Sequence, residues 1–171
     1  MKLNAAQRLL AHKVGEQWKQ GVRGYHQAIG SLILAADSLK FLFQLRSADS
    51  DTPSTYGCFG GSIDGAEDLN QALFREINEE TGYAGSFTQL MPLRPSIDFG
   101  RGFTYYNNLL VVPSEFAPRA EGKFADESDG HAWTLYGEWP TPLHPGLAWL
   151  LSLPETQFTL RSAIKRIQRQ R

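Results

Sequence analysis

Apolar residues recur along this chain with two different periods, and the switches between them mark its elements. In residues 3–20, Leu3, Ala6, Leu9, Leu10, Val14 and Trp18 fall at near-helical spacing among polar residues and stop at Gly21, which predicts an amphipathic helix. Residues 25–36 hold the run Leu32, Ile33 and Leu34, and residues 40–46 place Phe41, Phe43 and Leu45 at alternate positions. Both read as strands, with residues 36–39 turning between them. A Ser-, Asp- and Thr-rich stretch with Pro53, residues 47–55, reads as an exposed loop leading to Gly60 and Gly61. Helical spacing returns over residues 67–81 and ends at Gly82, placed as a C-terminal cap. Residues 87–93, 103–112 and 131–136 read as further strands. Residues 113–130, polar and poor in apolar side chains, read as a long surface loop, and loops of that length are often functional. After a proline-punctuated segment, residues 139–145, two helices are predicted near residues 147–153 and 155–169.

Composition narrows the class without naming a function. With 171 residues, 42% of them hydrophobic and 20% charged, the chain matches one ordinary globular domain, and no repeat or linker divides it. Seventeen basic against eighteen acidic residues leave a net charge of -1, which gives no general attraction to nucleic acid or to anionic membranes. Basic charge is concentrated only in the tail, where Arg161, Lys165, Arg166, Arg169 and Arg171 follow the last acid, Glu155. A solvated helix end opposing its own dipole explains that cluster better than a nucleic-acid patch. Cys58 is the sole cysteine, so no intrachain disulfide can form, and His12, His26, His131 and His144 are too dispersed for a zinc site. No apolar run approaches the roughly 18 residues of a membrane span, and the first 21 residues are too polar for a signal peptide. A cytoplasmic protein is expected.

The chemistry concentrates in residues 60–83, GGSIDGAEDLNQALFREINEETGY. Glu76, Glu79 and Glu80 stand at i, i+3 and i+4 and share one side of the predicted helix, while Leu73, Phe74 and Ile77 form an adjacent face able to pack on a core. Three acids so close repel one another by a few tenths of a kcal/mol per exposed pair, and by more if partly buried. A hard divalent cation would offset that repulsion, and Arg75 can neutralise one acid while orienting it. Gly60, Gly61 and Gly65 allow tight turning and a close backbone approach to a metal or phosphate.

In order, the segment holds Gly61, five residues, Glu67, seven residues, Arg75-Glu76, the aliphatic Ile77, one residue, Glu79-Glu80, one residue, Gly82 and Tyr83. This pattern resembles the signature box of the Nudix hydrolases. Its seven fixed identities would arise by chance on the order of 10^-10 times per starting position, so coincidence is set aside. The resemblance implies an α/β (α+β) fold, an α/β/α sandwich with a mixed β-sheet between helices. It also implies a magnesium-dependent enzyme, with manganese as a possible substitute, that hydrolyses a diphosphate linkage in a nucleotide. Carried onto this sequence, it makes Glu76, Glu79 and Glu80 metal ligands with the Gly60 carbonyl assisting, Arg75 an orienting residue, and Glu67 a support for loop and helix or for an outer metal position. Many members add an acid from a later loop; here Glu127, in DESDGHAW, is the candidate, with Asp126 and Asp129 close competitors and Glu115 and Glu121 behind them.

Substrate choice is less legible. Arg46 and Arg101 are candidate phosphate contacts, with salt bridges or solvated positions explaining them equally well; Tyr56 and Phe59, and with them Phe99, Phe103, Tyr105, Tyr106 and Trp133, could stack on a base, though for each a core role is favoured. Tyr83 and Phe59 stand where members usually carry an aliphatic residue and a proline. Where members specific for ADP-ribose or dinucleoside polyphosphates carry a diagnostic proline or tyrosine, this chain has Phe99 and Gly100. Three readings follow: hydrolysis of a nucleoside diphosphate linked to another group, such as a nucleoside triphosphate, nucleotide sugar or ADP-ribose; hydrolysis of dinucleoside polyphosphates or RNA 5′ ends; or a non-catalytic nucleotide-binding regulator. The family analogy also favours a homodimer.

Overall fold

The computed structural model describes residues 26–98, 103–119 and 127–171. The expected helix at 3–20, and the candidates Phe99, Arg101, Glu121 and Asp126, lie outside them.

Strand β1 (His26–Ala35) is the axis of the sheet. Its Ile29, Leu32, Ile33 and Leu34 are all buried, the continuous apolar run of a strand covered on both faces. It runs parallel to β6 (Phe103–Val112) along its whole length, from His26↔Phe103 to Ala35↔Val112. Strand β2 (Lys40–Arg46) turns back antiparallel through residues 36–39, where Leu39 takes a left-handed backbone with φ 60°. Strand β5 (Gln89–Asp98) is antiparallel to β6 and ends the path, an edge position that tolerates its two prolines, Pro92 and Pro95. Strand β7 (Ser128–Leu135) flanks β2.

The alternating face expected of β2 is not what forms. Phe41, Leu42, Phe43 and Gln44 are all buried, because β2 is interior in the sheet and is covered on both sides. Just after the loop expected at residues 47–55, the chain forms two short strands that periodicity did not mark, β3 (Tyr56–Gly57) and β4 (Phe59–Ser62). Strands β1 and β2 pair only at Ile33↔Leu42 and Leu34↔Phe41 and then separate; β3 attaches to β2, and β4 to β1. That opening carries the glycine pair.

Helix α1 (Leu69–Thr81) covers one face of the sheet, sealing Ala72, Leu73 and Ile77 against Ile29, Ile33, Leu42, Phe59 and Leu110. Phe74, expected in that seam, instead lies on the surface stacked on Phe87 at 4.8 Å, because a 100° step from Leu73 carries it round the helix and Ala72 fills the third core position. The helix starts two residues later than expected, where Asp68 accepts from Asn70 and Gln71 N–H at 2.8 and 2.9 Å while the Gln71 side chain accepts from Asp68 N–H at 2.9 Å. It ends as expected at Gly82, in the left-handed conformation with φ 66°.

Helices α2 (Pro145–Ser152) and α3 (Pro154–Gln170) cover the opposite face, with Leu147, Leu150, Leu151, Leu160, Ala163 and Ile167 packed on Leu32, Leu34, Phe41, Phe43, Leu109 and Val111. The fold is the expected α/β/α sandwich around a mixed sheet. Among the described residues no helix is long and apolar enough to cross a membrane.

His144 caps α2 by accepting the Gly146 N–H on Nδ1 at 3.1 Å, which requires an unprotonated nitrogen. Burial, then the nearby Arg46 charge, holds its imidazole below the usual histidine range. The folded state therefore favours the neutral ring, so this contribution is complete above the ordinary histidine range, near pH 6.5, and is lost as pH falls below it. His144→Ala is expected to cost about 1 kcal/mol at pH 8 and distinctly less at pH 5. Urea melts of both proteins at the two pH values check this, and a cost independent of pH would refute the cap.

Candidate active site

The acidic motif is organised around one guanidinium. Arg75 Nε and Nη2 donate side-on to the two oxygens of Glu67 at 2.8 and 2.9 Å, Nη1 donates to Glu76 at 2.7 Å and Glu79 at 3.1 Å, and Nη2 also reaches the Ser62 carbonyl at 2.9 Å. A lysine ammonium lacks the planar fork needed for this set. Glu67 is held from its other side by the Asp64 N–H at 3.1 Å. The hydrogen bonds from Arg75, then that amide, hold its carboxyl below the usual range, whereas the guanidinium itself is pushed up, first by Glu67. Glu67 thus ties Arg75 to the loop residue Asp64.

Beyond Arg75, burial dominates. Glu76 and Glu80 are only 8% and 5% exposed. Burial pushes Glu76 up against the opposing pull of Arg75, and pushes Glu80 well up against the Gly60 N–H, which donates to it at 2.6 Å. Glu127 raises both further. It sits immediately before β7, its carboxyl is a like-charge neighbour of both, and its backbone carbonyl is held by Ser47 N–H at 3.2 Å. Among the described downstream acids, Glu127 is the one brought to the buried pair; Glu115 pairs instead with Lys40 at 3.0 Å.

The glycines allow this approach. A Cβ on Gly61 would lie 2.7 Å from both carboxylate oxygens of Glu76, and Gly60, with φ 145°, lies against the backbone of Ile29 and Gly30. Gly65 also takes a positive φ, 51°, in the turn before the helix. The motif did not point to Gly30, which pairs with Gly60 across β1 and β4 and makes room for the Tyr105 hydroxyl reaching over from β6. A glycine inside an otherwise apolar strand was the available signal. Tyr105 is accordingly a half-buried side chain beside the site rather than plain core: burial, then Cys58 and Glu80, pushes its hydroxyl up. The Cys58 thiol, between β3 and β4, is pushed up to about 12 by burial and then Glu80, so it stays protonated and unreactive.

The substrate candidates divide. Arg46 pairs with Asp51 at the end of β2. Phe59 is 1% exposed in the seam under α1 and cannot stack on a ligand, and Tyr56 packs half-buried against the opposite core. Trp133 donates Nε1–H to the Phe116 carbonyl at 3.0 Å and packs edge-on against that ring. Arg161, Lys165, Arg166 and Arg169 lie on α3 and Arg171 caps its end, across the sheet from α1, so the fold does not bring them to the acids.

Glu76, Glu79, Glu80 and Glu127 are hard oxygen donors of the type divalent magnesium or manganese takes. Among the described residues no three acidic, His or Cys side chains are already arranged around an ion position. Arg75 engages Glu76 and Glu79, and the Gly60 amide engages Glu80, in the places a cation would compete for.

The NUDIX domain family profile matches residues 24–147, and the chain belongs to that family. No curated protein sequence matches. Among solved structures, a Nudix hydrolase from M. smegmatis, RenU, is 22% identical with a TM-score of 0.63, over 85% of this chain and 89% of that one. The E. coli dihydroneopterin triphosphate pyrophosphohydrolase is 19% identical with a TM-score of 0.54, over 84% and 99%. A bifunctional NMN adenylyltransferase/ADP ribose pyrophosphatase from Francisella tularensis, complexed with AMP and a manganese ion, is 14% identical with a TM-score of 0.52, over 95% of this chain and 48% of its own length. The chain is thus a Nudix-fold pyrophosphohydrolase by family, and these likenesses extend to the fold.

Because one guanidinium joins Glu67, Glu76, Glu79 and the Ser62 carbonyl, Arg75→Lys is expected to lower unfolding stability by roughly 1–3 kcal/mol although the charge is kept. Urea denaturation measures it; a midpoint equal to wild type would show that the fork does not hold the acids together.

Proposed function

We propose that this protein hydrolyses a diphosphate linkage in a nucleoside diphosphate joined to another group, using magnesium, with manganese able to substitute, in a reducing cytoplasm. The observation that supports this most is the meeting of Glu76, Glu80 and Glu127, where burial and then like-charge neighbours, Glu127 among them, disfavour the charge of Glu76 and Glu80. Such an arrangement gains from a cation that restores their ionised form.

In this reading Glu76, Glu79, Glu80 and Glu127, with the Gly60 carbonyl, hold the metal. A bound ion supplies neutralisation of the diphosphate charge and an activated water. This chain's own residues do the positioning. Arg75 fixes the directions of the Glu76 and Glu79 carboxylates, Glu67 fixes Arg75, and the Gly60 amide fixes Glu80. Glu127, the more exposed acid, is the group placed to take a proton from an attacking water. Arg46 contributes a guanidinium to the substrate's phosphates.

Substrate range follows from loops outside the motif, and a screen of nucleoside triphosphates, nucleotide sugars and ADP-ribose with magnesium identifies it. Glu80→Gln keeps the shape and an acceptor for the Gly60 N–H while removing the charge. It is expected to lower turnover at least tenfold and to leave metal-free stability equal or higher, because repulsion with Glu76 and Glu127 is relieved. Wild-type turnover in the variant would remove Glu80 from the reaction.

A further inference from the structure

Two arginines among the described residues, Arg75 and Arg46, each with a side chain 26% exposed, are paired to different degrees. Arg75 makes a complete side-on pair, with Nε and Nη2 each donating to one oxygen of Glu67. Arg46 makes half of the same pair: Nη2 is engaged by Asp51 Oδ1, but Nε is buried and meets no acceptor among the described residues. An unmet buried donor is costly, and proteins rarely leave one without a reason.

The rest of Arg46 is tightly placed. Its backbone closes the loop after β2, donating to the Thr55 carbonyl at 3.0 Å and accepting from Ser54 N–H at 3.1 Å. Its stem lies on Gly57, where a Cβ would stand 3.4 Å from Cδ. Gly57 is three residues before Gly60, so the two lie at most about 10 Å apart, a separation that a nucleotide's phosphates and sugar can bridge. Asp51 is only lightly committed, since its other contact is a 3.2 Å hydrogen bond from its neighbour Thr52. The Arg46 and Asp51 side chains keep 26% and 34% of their surface exposed, which leaves the pair open to exchange.

We propose that Asp51 is an internal stand-in for a substrate phosphate: it occupies the Nη2 position of Arg46 in the free protein and gives way when a phosphate oxygen pair takes both Nη2 and Nε. This rests on the nucleotide reading of the site and adds a competitor that sets its affinity. A guanidinium edge matches two phosphate oxygens as well as it matches a carboxylate, so the exchange satisfies the donor that Asp51 leaves unmet. The charge of Arg46 also acts on Tyr105, the side chain that senses Glu80 and Glu76, so the guanidinium belongs to the electrostatic neighbourhood of the acids.

The test is calorimetric binding of a non-hydrolysable α,β-methylene nucleoside diphosphate with magnesium present. Asp51→Asn is expected to tighten binding three- to tenfold, Arg46→Gln to weaken it at least tenfold, and the double variant to bind like Arg46→Gln. A merely structural ion pair would move both single variants in the same direction, and that result, no change in Asp51→Asn, or no binding by the wild-type protein would each overturn the proposal. If Arg46→Gln fails to fold, Arg46→Lys replaces it, since an ammonium keeps the charge but cannot make the two-point contact. Hydrolysis is scored separately. Opposite shifts in affinity without turnover of any nucleotide would sink the hydrolase reading alone, and normal turnover with unmoved affinities would sink this proposal alone.

Discussion

Placing carboxylates in a protein interior is costly, and this fold is arranged around making that tolerable at one spot. Glu76 and Glu80 are nearly sealed from solvent, yet neither is buried without a partner, since Arg75 meets the first and the Gly60 amide meets the second. One guanidinium serves three acids and a carbonyl, so the loop before α1, the helix itself and the end of β4 are fixed to one another by a single side chain. The remaining repulsion, between Glu76, Glu80 and Glu127, is left for something else to relieve.

The sheet supplies the position. Because β1 and β2 pair over only two residues before separating, β4 can lie beside β1 with its glycines turned to the helix. Gly61 leaves the space that the Glu76 carboxylate fills, and the Gly30–Gly60 pair lets Tyr105 reach across β1 from β6. Meanwhile α1 is anchored by Ala72, Leu73 and Ile77, so its acid-bearing side is directed rather than chosen by the acids. Packing on one side of the helix fixes the chemistry on the next.

Much of this was legible in the sequence because it rests on local periodicity and a dense motif. The helix and its Gly82 cap, the long strands and the two C-terminal helices follow from spacings of 2 and 3.6 residues, and the motif brought Glu67, Arg75 and the three helical glutamates together before any coordinates. What escaped was set by tertiary contact. Strands β3 and β4 are short and glycine-rich, with little intrinsic preference, and exist because β2 and β1 offer them edges. Phe59, open to stacking on a base but favoured for the core, is enclosed by the core, and Phe74 read as core but lies outside it, since composition cannot tell which aromatic the packing will enclose. Glu127 was a candidate from the segment DESDGHAW, and the pairing of β7 with β2 explains how it meets residues nearly fifty positions earlier.

The central claim is that the carboxyl groups of Glu76, Glu80 and Glu127 are gathered to share a divalent cation. The most direct measurement is a manganese titration followed by electron paramagnetic resonance, with and without a non-hydrolysable nucleotide. The account predicts loss of the free-ion signal on adding protein, stronger loss with nucleotide, and its return on adding excess magnesium. A free-ion signal that the protein leaves unchanged, even with nucleotide present, would contradict it.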